Sequence, residues 1–209
     1  EIDIIYEDNN IIVVNKPSGL LSISTEKETE KTLYKYISNY VKKGNKNAKI
    51  FVVHRLDKDT SGIVIFSKNQ DFKNKLQQNW NDEVVRNYYA VVEGKLEKKS
   101  GTIKSYLKEN SFHKTYSSNK GELAITNYEV IKTNDLYSLL KVNIKTGKKN
   151  QIRVHLSDIN HPIVGDKKYG SKIRAKRLML CAYNVEFKNN SKYKFEIPYP
   201  EEFKKYIKA

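Results

Sequence analysis

The chain has 209 residues, 30% of them charged, and a formal net charge of +15 at pH 7. That length can bury a sizeable core as one large domain or two small lobes, and that charge points to a polyanionic partner. The single cysteine, Cys181, excludes an intrachain disulfide, and no Cys/His spacing suits zinc.

Residues 2–6 and 11–15 are predicted strands joined by a Glu-Asp-Asn-Asn turn, and Lys16-Pro17-Ser18-Gly19 ends the second. Leu33, Ile37, Tyr40 and Val41 fall at helical spacing as core positions, closed by Lys42-Lys43-Gly44. Two apolar runs, 51–53 and 63–66, follow as short buried strands. The nine residues between them carry one apolar side chain, Leu56, and four charged ones, Arg55, Asp57, Lys58 and Asp59. A polar loop gripped by two buried strands is a rigid mount for reactive groups, and Gly62 permits the turn back into the second strand. A solvated hairpin turn is the plainer alternative.

Phe72, Leu76 and Trp80 mark an amphipathic helix through about residue 83. Residues 84–92 form a strand whose alternation sends Tyr88 and Tyr89 to opposite faces, one free to look into a cleft while the other packs. Strands at 102–107, 122–131 and 136–145, with turn signals at 119–121 and 133–135, predict a largely antiparallel or mixed sheet. After Thr146-Gly147 a short helix places Ile152, His155, Leu156 and Ile159 on one face with Arg153 beside the stripe. A partly buried charge there requires an anionic partner; a plain surface arginine fits the spacing equally well. His155 is best read as a hydrogen-bonded core histidine. Residues 161–170 form an ordered turn region, a strand reaches residue 187 and pairs with 192–197 across Asn189-Asn190, and a helix over 201–208 ends the chain.

The lysines are spread along the whole chain, which favours nucleic acid over a membrane surface. No apolar run approaches membrane-spanning length and no signal-peptide pattern opens the chain, so a cytoplasmic protein, and a monomer, is expected. Only five of the 39 basic residues are arginine: Arg55, Arg86, Arg153, Arg174 and Arg177. In so lysine-rich a chain, an arginine marks a place to look for a site that needs a planar fork or a stacking surface.

His54-Arg55-Leu56-Asp57 followed by Lys58-Asp59-Thr60-Ser61-Gly62 closely resembles the signature of the RluA family of pseudouridine synthases. The same order of blocks continues in Val14-Asn15-Lys16-Pro17-Ser18-Gly19, Tyr88 through Gly94, Thr146-Gly147, Gln151 through Leu156, His161 through Asp166 and Tyr169-Gly170. The resemblance implies a single catalytic domain over 1–209, in the α/β (α+β) class. Its fold would be a mixed, mainly antiparallel bent sheet with flanking helices and a central active-site cleft. It further implies Asp57 as the essential catalytic aspartate, Tyr88 as the active-site tyrosine and Arg153 as the ion-pair partner of Asp57. Arg55 would help occupy the space left by an extruded nucleotide, and Lys148, Lys149 and Arg177 would contact RNA. The implied substrate is ribosomal or transfer RNA, with neither metal nor organic cofactor.

Three departures stand out. Lys148-Lys149-Asn150 replaces the Arg-Thr-His common in relatives, Cys181 stands where histidine is frequent, and the N-terminal S4 RNA-binding domain of many relatives is not in this sequence. Two other functions fit the sequence less well. A non-catalytic RNA-binding factor would be supported by loss of Asp57, Tyr88 or Arg153, and all three are present. A glycoside hydrolase needs carboxylates on opposite sides of a sugar, which Asp57 and Asp59, two residues apart, are poorly placed to supply.

Overall fold

The computed structural model describes residues 1–208, which divide into two compact units. One comprises Glu1–Val84 with Val185–Ile197; the other comprises Val85–Asn184 with the described residues from Pro198 onward. The class is α+β, with few helices and a mainly antiparallel sheet.

The first unit opens with β1 (Asp3–Glu7), β2 (Ile11–Lys16), α1 (Leu33–Gly44), β3 (Phe51–Val52), β4 (Ser61–Ser67), α2 (Gln70–Gln78) and α3 (Trp80–Glu83). β4 pairs with both β2 and β3, and all seven of its residues are buried, which is why its sequence is a continuous apolar run rather than an alternation. Ile11, Val13, Ile63 and Ile65 share one core with Phe72 and Leu76 of α2. α1 buries Leu33 and Ile37 as its spacing predicts. Tyr40, expected in the core, is exposed; its phenol donates to Glu7 Oε1 at 3.1 Å, a polar tip that lets the ring stay at the surface. The helix predicted through residue 83 breaks at Asn79 (φ −129°, ψ 38°), so Trp80 starts a separate turn.

The second unit contains β5 (Val85–Glu93), β6 (Ser100–Glu109), β7 (Thr115–Ser118), β8 (Glu122–Thr133), β9 (Tyr137–Ile144) and α4 (Gln151–Asp158). Its strands run in the order β5-β9-β8-β6-β7. The sequence predicts no strand at β7, because Thr-Tyr-Ser-Ser has no apolar alternation. It forms because Asn110 Oδ1 accepts from the amides of Phe112 (2.9 Å) and Lys114 (3.0 Å), turning the chain back along β6. α4 buries Ile152, Val154, His155 and Leu156. His155 is fully buried between Thr126 Oγ1 (2.7 Å) and Ser105 Oγ (2.9 Å), the satisfied core histidine that its position suggests.

The chain then runs through β10 (Leu180–Asn189), turns at Asn190 (φ 61°) into β11 (Ser191–Glu196), and ends in a 3-10 turn and α5 (Lys204–Ile207). That last helix is shorter than the 201–208 expected. Among the described residues no helix is long and apolar enough to cross a membrane.

Candidate active site

Asp57 is half-buried in the loop between β3 and β4, and the loop is tied down residue by residue. At its entry the Ile65 amide donates to His54 Nε2 at 3.0 Å, so a side chain supplies an acceptor to β4 where β3 stops. The His54 ring stacks on Trp80 at 4.7 Å, and Gln77 Nε2 donates to the Val53 carbonyl at 3.0 Å. Every carbonyl from Leu56 to Asp59 then has a donor. Leu56 O accepts from Ser22 Oγ (2.6 Å), Asp57 O from the Thr60 amide (3.1 Å) and Asp59 O from Ser18 Oγ (2.6 Å). Lys58 O accepts from the Gly19 amide and from Lys16 Nζ, both at 2.8 Å. Lys16 is fully buried, and its ammonium also donates to the carbonyls of Leu20 (2.6 Å) and Pro17 (3.0 Å). Gly62 leaves the loop at φ +124°, the freedom that its position required. Arg55, Lys58 and Asp59 are exposed around the half-buried Asp57.

Tyr88 and Tyr89 part as strand alternation predicts. Tyr89 packs: its ring stacks on Tyr183 at 3.7 Å and meets Tyr199 edge-on at 5.5 Å. Tyr88 is half-buried on the opposite face of β5, the face that also carries Arg86. Arg86 is buried and donates to the Ile144 carbonyl; burial pulls its guanidinium below its ordinary value, with Tyr88 opposing. In the sequence only its rarity among lysines marks this arginine.

Arg153 has the anionic partner that a partly buried guanidinium requires, and that partner is Asp166. Arg153 Nε donates to Asp166 Oδ2 at 3.0 Å and Nη2 to Oδ1 at 2.8 Å, a two-bond fork. The sequence reading gives this arginine Asp57 as its partner and does not foresee the fork on Asp166. Asp166 side-chain exposure is 0% and that of Arg153 is 12%, so a long-range buried carboxylate neutralises the arginine within its own unit. Nη1 donates to Asn150 Oδ1 at 3.4 Å, and the guanidinium lies 5.1 Å from the Tyr169 ring centroid. Asp166 reaches this place because residues 161–166 lie along β5, with the Val164 amide donating to Val91 O at 2.9 Å. Between them Gly165 sits at φ +85°, and a Cβ there would come within 2.4 Å of the Arg177 carbonyl. Asp166 was missed as a site residue. Its signal was a carboxylate closing an apolar run, Pro-Ile-Val-Gly-Asp.

Lys148 and Lys149 are at the surface, where each already meets a glutamate: Lys148 Nζ lies 3.2 Å from Glu122 and Lys149 Nζ 2.7 Å from Glu109. Such exposed pairs are worth about 0–1 kcal/mol. Arg177 is held by its own stretch of chain. Its Nε donates to Leu178 O (2.8 Å) and Nη2 to Leu180 O (2.9 Å), and the guanidinium lies over the Phe203 ring, so these bonds brace its own backbone. Asp57 and Arg55 thus belong to the first unit, and Tyr88, Lys148, Lys149, Arg153 and Arg177 to the second. Among the described residues no three His, Cys, Asp or Glu side chains cluster as a metal site.

A family model described as RNA pseudouridylate synthase matches residues 10–158. The ribosomal large subunit pseudouridine synthase D of Borreliella burgdorferi is 37% identical over 97% of this chain and 66% of its own length. An uncharacterized RNA pseudouridine synthase of Aquifex aeolicus is 34% identical over 97% of this chain and 71% of its own. The chain spans 58%, 66% and 56% of three such curated relatives. Among solved structures, human RNA pseudouridylate synthase domain containing 4 has the same fold, with a TM-score of 0.82 and 23% identity over 96% of this chain and 90% of that one. With these matches spanning the Asp57 loop, β5 and the Arg153 helix, the chain belongs to the RNA pseudouridylate synthase family, in its RluA branch.

Proposed function

We propose that this protein isomerises specific uridines in structured RNA to pseudouridine, with Asp57 as the essential carboxylate and the two units acting as one catalytic domain. The observation that carries this reading is the Asp57 loop: a half-buried carboxylate on a backbone whose carbonyls are all tied down from Leu56 to Asp59. The isomerisation breaks N1–C1′, turns the uracil and forms C5–C1′; C5 gives up its proton and N1 ends with one, so nothing is added or lost. Asp57 assists either by attacking C1′ or by taking the C2′ proton, and both roles need an ionised carboxylate held in place. Tyr88 stacks on the base and assists loss of the C5 proton. On this reading Arg153 supplies the positive charge that favours the ionised form of Asp57. The two bonds to Asp166 fix the orientation of its guanidinium. No metal or organic cofactor takes part in these steps.

The substrate uridine must be flipped from its stack, at a cost of a few kcal/mol that is smallest in a loop. Arg55, exposed on the Asp57 loop, fills the space it leaves, and Lys148 and Lys149 exchange their glutamate partners for phosphates. The name of the Borreliella relative points to large-subunit ribosomal RNA as the substrate, reached by a cytoplasmic protein. Mapping pseudouridines in total RNA from cells with and without the gene tests this. A site that disappears with the gene, and returns when purified protein acts on the corresponding transcript, is expected. An unchanged map together with no conversion in vitro would sink the reading.

A further inference from the structure

The direction of a side chain is set by the two peptide planes that flank its Cα, and at Asp57 both are pinned. Because a peptide unit is planar, the Leu56 carbonyl and the Asp57 amide turn together. Ser22 Oγ donates to Leu56 O at 2.6 Å and so orients that plane; the same oxygen accepts from the Leu56 amide at 3.2 Å and orients the plane before it. On the far side the Thr60 amide donates to Asp57 O at 3.1 Å. Ser18, Gly19 and Lys16 act further on, at Lys58 and Asp59.

Ser22 is itself anchored. Its carbonyl accepts from the Tyr34 amide at 3.0 Å, and the neighbouring Leu21 carbonyl accepts from Leu33 at 2.8 Å. Those are the first two amides of α1, groups that a helix leaves without internal partners, and the third of the turn, Lys35, is capped by Thr32 Oγ1 at 3.1 Å. Ser22 is 4% exposed, so water does not compete for its hydroxyl.

We propose that Ser22 is the positioning residue for Asp57: one hydroxyl, referred to the start of α1, satisfies both backbone groups of Leu56 and thereby aims the carboxylate. The inference rests on the role proposed above for Asp57. Alanine at position 22 would leave two buried backbone groups without partners, and they would recover them only by turning the plane that carries Asp57. Small misplacements at a reacting centre are costly in rate, up to about a hundredfold for ~1 Å.

The test compares Ser22→Ala and Ser22→Thr with Ser138→Ala. The last removes an equally buried serine, whose hydroxyl donates to Gly94 O at 2.8 Å in the other unit. Amide hydrogen exchange is followed at Leu56, and multiple-turnover kinetics on the mapped RNA give kcat and KM. Ser22→Ala is expected to speed Leu56 exchange at least about tenfold through local opening. Its kcat should fall roughly ten- to hundredfold, with KM changed by less than about twofold, since binding contacts are untouched. Ser138→Ala should lower the thermal midpoint yet change neither Leu56 exchange nor kcat, and Ser22→Thr, which keeps the hydroxyl, should restore kcat. Normal kcat in Ser22→Ala, an equal loss in Ser138→Ala, or unchanged Leu56 exchange each overturns the proposal. If Ser22→Thr does not fold, the contrast between the two alanine variants still decides. If the wild type converts no RNA, the proposed function fails, while Leu56 exchange still decides whether Ser22 holds the loop.

Discussion

The Asp57 loop and the Arg153 segment solve opposite problems. Asp57 is anchored through its backbone: the donors that hold residues 56–59 reach carbonyls, and the loop's charged side chains are left to the surface. Arg153 is anchored through its side chain, by a fork from Asp166 whose carboxylate is fully buried. A carboxylate that must meet a substrate can be aimed by its peptide planes while its oxygens stay accessible. A half-buried guanidinium cannot be left that way, because its charge needs a counter-charge whether or not substrate is present.

Replacing each anchor should therefore fail differently. Asp166→Asn removes the counter-charge from a buried pair and should cost about 3–5 kcal/mol of stability, seen as a large fall in the urea midpoint. A midpoint within error of wild type would mean that Arg153 is neutralised from elsewhere. Arg153→Lys keeps the charge but cannot reproduce the two parallel bonds, so single-turnover rate should fall more than about tenfold even where the thermal midpoint is little changed. Lys148→Arg should leave the rate nearly unaltered, since a surface cation beside Glu122 tolerates either head group. Equal rates for Arg153→Lys and wild type would reduce the fork to packing.

The interior of the second unit adds a pH-dependent effect. Burial pushes the His155 imidazole below its ordinary value, with nearby Asp158 opposing. The unfolded chain then binds the proton more readily than the folded one, so stability is full above the unfolded value of about 6.5 and is lost as pH falls from there toward the lowered folded value. Thermal midpoints measured from pH 8 to 5 should decline through this window in the wild type and decline less in His155→Gln. Parallel curves would exclude His155 as the cause. A still smaller effect is expected for Thr32→Ala. Losing the cap of α1 should cost about 1 kcal/mol, with a detectable loss of rate because the same helix turn holds Ser22.

These two anchors were not equally legible in the sequence. The loop was visible because both of its determinants are local: an apolar run on either side and a polar interior, in blocks whose order matches a known family. The opposed faces of Tyr88 and Tyr89 followed from strand period alone. The partner of Arg153 did not follow, because periodicity says which face a residue takes and nothing about which carboxylate thirteen residues away folds back onto it. Arg177 shows the same limit. Its rarity marks a place to look, and only the fold shows that Nε and Nη2 donate to Leu178 and Leu180. Strand β7 escaped because its pairing comes from the Asn110 turn rather than from its own side chains. Ser22 carried no signal in pattern or composition, since a serine between apolar residues looks the same whether its hydroxyl is used or not.

The most direct measurement is single-turnover release of tritium from 5-³H-uridine RNA by Asp57→Asn, set beside filter binding of the same RNA. The substitution keeps the size of the side chain and every backbone bond that holds the loop, and removes only the ionised carboxylate. Conversion should be abolished while binding stays within about threefold of wild type, because affinity comes from dispersed lysine–phosphate contacts. Substantial turnover by Asp57→Asn would contradict the assignment of Asp57 as the essential group, however well the loop is built.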